Sequence, residues 1–145
     1  MPSAEEKLLF EAAYRGELEI VETALILADV NAKAEYGDTA LNKAASEGHL
    51  EVVKLLIERG ADVNNKGGAD LTPIMNAATG GHIKVVEFLI SKGAIISNDL
   101  LSVIQLKVNI LEENAESGMV LPKAVESWKA FLQYLLEERM KQDKK

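Results

Sequence analysis

One stretch of this chain recurs at a fixed distance, and no other feature restricts its fold as much. Thr39, Ala44, Ala45, Gly48, His49, Val52, Val53, Gly60 and Ala61 each reappear 33 residues later, as Thr72, Ala77, Ala78, Gly81, His82, Val85, Val86, Gly93 and Ala94. A weaker copy lies upstream: Ala12, Ala13 and Gly16 precede Ala44, Ala45 and Gly48 by 32, and Ala28-Asp29-Val30-Asn31 precedes Ala61-Asp62-Val63-Asn64 by 33. The first copy has therefore lost one residue near the place where the others carry Gly60 and Gly93. Three copies occupy roughly residues 4–97, divided at about 4–34, 35–67 and 68–97. A period of this length marks a stack of like units, each too small to bury its apolar face alone.

Each copy reads as a pair of short helices, 40–47 and 50–58 in the middle one. Ala44 and Ala45 are small where the first helix must lie close to its neighbours, since a bulky side chain there would overpack. Val52, Val53, Leu55, Leu56 and Ile57 give the second helix an apolar face that only adjoining units can cover. Gly60 and Gly93 follow the helices, where a left-handed residue is favoured. Thr39 and Thr72 stand at the expected N-caps, with Pro73 at the first helical position of the third copy.

The run Thr39-Ala-Leu-Asn-Lys-Ala-Ala45, followed by Gly48-His49, Val52-Val-Lys-Leu-Leu56 and Gly60-Ala-Asp-Val-Asn64, resembles the ankyrin repeat in both period and signature. The resemblance implies an all-α fold: an ankyrin-repeat solenoid of stacked helix-turn-helix units over 1–97, with a longer C-terminal helical hairpin over 98–145. Two departures stand out. The histidine of the family's Thr-Pro-Leu-His tetrapeptide is Asn42 in one copy and Met75 in the next, and its hydrogen bond to the threonine is expected to be lost in both. His49 and His82, the only histidines, hold one repeat position on successive units. With no cysteine to join them, they read as structural residues at the start of the second helices rather than as a metal site.

From Ser97 the motif stops. Residues 98–113 still read as a helix, with Leu100, Ile104, Val108 and Leu111 on one stripe and Asn98 or Asp99 as its cap. Leu121-Pro122 opens a second helix to about Met140, with Ala124, Trp128, Phe131 and Leu135 in helical register; residues 141–145 are expected to fray. A solenoid needs an atypical terminal unit, and 98–140 is read as that cap. The other reading makes Trp128, Phe131 and Tyr134 a docking patch or dimer seam within 122–140, Tyr134 being the most exposed of the three.

The chemistry the chain lacks is also informative. No phosphate-binding loop, dinucleotide fingerprint, zinc-protease motif or nucleophile elbow occurs, and no cofactor or metal is expected. The absence of cysteine removes thiol nucleophiles and Cys-based zinc sites. A net charge of -7 argues against nucleic acid or an anionic membrane as partner. No apolar run approaches the roughly 20 residues of a membrane helix, and the first residues lack the basic-then-apolar pattern of a secretory signal. A cytoplasmic, monomeric, non-catalytic protein is the expectation.

The resemblance then implies a protein-protein interaction module that holds a protein partner on its repeat turn tips and on the concave face of the first helices. Carried over by position, the tip residues are Glu35, Tyr36 and Asp38, then Gly68, Ala69 and Leu71, with Lys33 and Lys66 at the variable positions preceding them. The helix positions are Tyr14 and Arg15, Ser46 and Glu47, and Thr79 with Gly80. Tyr14 and Tyr36 are the expected anchors, because tyrosine combines contact area with a hydroxyl. The alternative is a structural or regulatory subunit docked through its C-terminal helices. Residues 1–62 hold 13 acids and 6 bases, whereas 63–145 hold 10 of each, so a basic partner surface is expected to meet the N-terminal half.

Overall fold

A computed structural model describes residues 1–145. The chain is helical throughout and divides into two compact units, 1–94 and 95–145. The first unit holds three helix pairs: α1 (Ala4–Arg15) with α2 (Leu18–Ala24), α3 (Ala40–Glu47) with α4 (Leu50–Glu58), and α5 (Pro73–Thr79) with α6 (Ile83–Ser91). Single 3-10 turns, Glu35–Gly37 and Gly68–Asp70, precede the second and third pairs.

The repeated residues explain why the pairs stack. Ala12, Ala13, Ala44, Ala45, Ala77 and Ala78 are all buried, and their small side chains let α1, α3 and α5 pack more closely with one another than α2, α4 and α6 do. On the second helices Val52, Val53, Leu55 and Leu56 are buried, as are Val85, Val86 and Leu89. Each such side chain contributes roughly 1.5–3 kcal/mol by leaving water.

Polar bonds tie each pair to the next. His49 Nε2 donates to the Tyr14 carbonyl at 2.9 Å and His82 Nε2 to that of Ser46 at 3.1 Å. Gly48, left-handed at φ 76°, lies against the His82 ring so closely that a Cβ would overlap the imidazole. The Asn31 side chain donates to the Gly60 carbonyl and accepts from Asp62 N, and Asn64 donates to the Gly93 carbonyl. Both imidazoles are thus used in holding one repeat to the one before it. In the first copy the missing residue falls just after α2, which ends at Ala24 with right-handed Leu25 as its cap in place of a left-handed glycine, and Ile26 and Leu27 are exposed.

Two capping expectations are corrected. Asn42 keeps the bond to the threonine: its Oδ1 accepts from Thr39 N and Thr39 Oγ1, each at 3.0 Å, because a carboxamide at that position supplies the required acceptor. Met75 has no such atom. Thr72 keeps the extended N-cap backbone, but its side chain caps nothing and Oγ1 is buried with no partner.

The second unit is a hairpin of α7 (Asn98–Glu116) and α8 (Pro122–Asp143). Ser97, not Asn98 or Asp99, caps α7, its hydroxyl accepting from Leu100 N at 3.1 Å. Leu100, Ile104 and Val108 are buried on α7, and Val125, Phe131, Leu132 and Leu135 on α8. Trp128 meets Phe131 edge-on at 5.8 Å and carries Lys107 Nζ 4.3 Å from its ring centroid. An ion pair joins Lys129 of α8 to Glu112 of α7, and that bond together with the opposite charge raises the Lys129 pKa above the ordinary lysine value. Tyr134 is half-buried rather than exposed. Helix α8 also runs past Met140, and Gln142 and Arg139 fasten its last turns to the backbone of Ile96.

Candidate protein-binding surface

The turn tips are joined to one another and braced from beneath. Asp38 Oδ1 accepts from Gly68 N at 2.8 Å, and Gly67 lies so close to that carboxylate that no Cβ fits. Below the tips sits a buried cluster of carboxamides. Asn65 Nδ2 donates to the Gly37 carbonyl at 3.1 Å and to Asn42 Oδ1 at 2.8 Å, while Asn42 Nδ2 donates to the Leu71 carbonyl at 3.2 Å and Asn76 Oδ1 at 3.0 Å. This network connects the first tip, the start of α3, the exit of the second tip and α5. Asn65 and Asn76 were not legible as site residues. The available signal was that both depart from the repeat, standing where other copies have Ala32 and Lys43.

On that base stands Tyr36, 80% exposed and left-handed at φ 66°. Ala69 and Asp70 repeat the conformation at φ 56° and 59°. An L-residue in this region costs roughly 1–2 kcal/mol, and for a bulky side chain it is a clear outlier. Glycine would make the same turn with less strain.

The sequence-derived residues fall into two groups at opposite ends of the first helices. Glu35, Tyr36, Asp38, Lys66, Gly68, Ala69 and Leu71 gather around the tips. Tyr14, Arg15, Ser46, Glu47 and Thr79 lie at the C-terminal ends of α1, α3 and α5. The eight residues of α3 separate the groups by about 12 Å at 1.5 Å per residue. Within the tip group Asp38 is half-buried and engaged with Gly68, and Gly68 and Leu71 are half-buried, leaving Glu35, Tyr36, Lys66 and Ala69 exposed. In the second group Tyr14 is 51% exposed. Arg15 is paired with Glu11 at 2.7 Å and lies 3.9 Å from Glu17, so its charge is locally balanced. The Thr79 hydroxyl turns back to the Met75 carbonyl, whereas Ser46 and Glu47 are exposed.

The family model described as ankyrin repeats (3 copies) matches residues 9–99. The chain belongs to the ankyrin-repeat family. Ankyrin repeats are in general protein-protein interaction modules and are typically non-catalytic. No curated protein matches the chain. In this ankyrin-repeat chain no three His, Cys, Asp or Glu side chains are grouped so as to hold a metal ion, and no helix is long and apolar enough to cross a membrane.

Proposed function

We propose that this chain is a non-catalytic, monomeric binding module of the cytoplasm that holds a protein partner across its turn tips and the exposed side of α1, α3 and α5. The observation that carries the reading is Tyr36: a large amphipathic side chain, 80% exposed, on a left-handed backbone that glycine would adopt with less strain. Strain of this kind persists where the surroundings over-determine it, and it clusters at binding sites. The asparagine network and the Asp38–Gly68 bond supply that over-determination. Tyrosine anchors held on rigid supports lose little side-chain entropy on binding. The acid excess of residues 1–62 favours a partner with a basic surface, which speeds encounter at low salt. Affinity capture from the source cell tests the reading. The partner retained by the natural chain should be lost from Tyr36→Ala with the helical circular dichroism unchanged, and equal retention would defeat the proposal.

A second reading, docking into a larger assembly through the C-terminal helices, is favoured by one observation. Helix α7 leaves Val103, Leu106 and Ile110 exposed at 41%, 59% and 48%, spaced along one side. Leu106→Lys should release the partner under that reading and leave it bound under the first.

A further inference from the structure

Between α4 and α6 lies an arrangement of side chains that the repeat does not require. Phe88 of α6 is half-buried, and Lys54 Nζ of α4 stands 5.8 Å from its ring centroid. Lys92, the C-cap residue of α6, brings its Nζ within 5.7 Å of the same centroid. Ile57 and Glu58 of α4 complete the lining of an open surface cavity of about 360 Å³. The corresponding positions between α2 and α4 carry Glu22, Leu55 and Arg59, with Leu55 buried. Neither the ring nor the pair of lysines is therefore needed for one second helix to pack on the next.

Both ammonium groups are held weakly. An exposed cation-ring contact is worth about 0.5–1 kcal/mol. The one ion pair here, Lys54 with Glu51 at 3.5 Å, is solvated on both sides and of a kind that contributes little. An incoming anion can redirect both lysines at small cost and find the face of Phe88 and the side of Ile57 next to it. The first unit as a whole carries 15 acids and 9 bases, whereas the lining of this cavity, with two lysines to one glutamate, is positive by one. That is too small an excess for a phosphate backbone or an anionic bilayer, which reward clusters of basic residues. The volume is near the lower end of the roughly 300–1,000 Å³ of ligand pockets, and its open form suits one or two side chains of a peptide.

We infer that the α4–α6 groove binds a peptide segment of a partner protein in which an Asp or Glu adjoins a large apolar residue. The carboxylate sits between Lys54 and Lys92, and the apolar side chain covers Phe88 and Ile57. Glu58 lines the same cavity and opposes the carboxylate, which keeps the site weak. The groove is built from second helices, so it operates independently of Tyr36 and the tips.

The test is a selection of displayed random peptides on the full chain, followed by affinity measurement with the enriched peptides as probes. The expected peptides carry Asp or Glu within two positions of Leu, Ile or Phe. Their affinity falls about tenfold or more in the Lys54→Glu, Lys92→Glu double variant, as expected for reversing charges that face a bound carboxylate. It rises in Glu58→Gln and is unchanged in Tyr36→Ala. Peptides that bind the double variant undiminished, no enrichment above that variant, or displacement of the peptides by phosphatidylserine vesicles would each overturn the inference.

Discussion

Asn42 and Asn65 meet side chain to side chain at 2.8 Å in the buried layer between the second and third repeats, Asn65 donating and Asn42 accepting. Through this contact the polar groups under the first tip, at the start of α3 and at the exit of the second tip satisfy one another. A buried network of this kind rigidifies what stands on it when every member is paired, and is costly when one is removed. What stands on it here is the tip that carries Tyr36.

Asn42→Leu fills a similar volume but strips Thr39, Asn65 and Asn76 of their shared partner. Thr39 and Asn65 are buried, and with each buried orphan costing about 1–3 kcal/mol, urea unfolding should show a loss of roughly 2–6 kcal/mol. A loss below 1 kcal/mol would mean that water replaces the network without cost.

The two threonines at equivalent N-caps should respond oppositely to removal of the hydroxyl. Thr39→Val breaks the bond to Asn42 and should destabilise by about 1 kcal/mol, whereas Thr72→Val removes an unpaired buried oxygen and should be neutral or stabilising. Met75→His should restore an acceptor to Thr72 and stabilise by about 1 kcal/mol. Thermal unfolding of the three variants side by side measures this, and equal losses for the two valine variants would contradict it.

Gly48 and Gly60 are both left-handed, yet only Gly48 faces a neighbouring ring. Gly60→Ala should cost about 1 kcal/mol from backbone strain alone. Gly48→Ala adds a clash with His82 and should cost at least about 2 kcal/mol. Denaturant midpoints that coincide for the two variants would show that the His82 contact gives way freely.

Tyr36→Gly separates strain from binding. Relieving a left-handed tyrosine should raise stability by about 0.5–1 kcal/mol, while the anchor for the partner disappears. A less stable variant that still binds would run against the account on both counts.

Much of the fold was readable because the repeat places the same physical signals at the same spacing. The limits of α3 and α4 follow from Thr39, the Gly48-His49 step and Gly60, and the observed helices have those limits. The hairpin was less legible. Ser97, Asn98 and Asp99 are all good cap residues, and only the structure shows which hydroxyl or carboxylate faces Leu100 N. Helix α8 outruns its expected end because Arg139 and Gln142 bond to Ile96, a pairing across more than forty residues that no local pattern announces. At the surface, Asp38 reads by position as a contact but is engaged by Gly68. Phe88 stands 33 residues after the buried Leu55, and that periodicity gives no sign of the two lysines beside it.

The most direct measurement places a photo-crosslinking benzoyl-phenylalanine at position 36, and separately at position 106, of the full chain in its source cell. A partner protein is expected to be captured from position 36 and not from 106. Capture from position 106 with none from 36 would contradict that expectation and move the binding surface to α7.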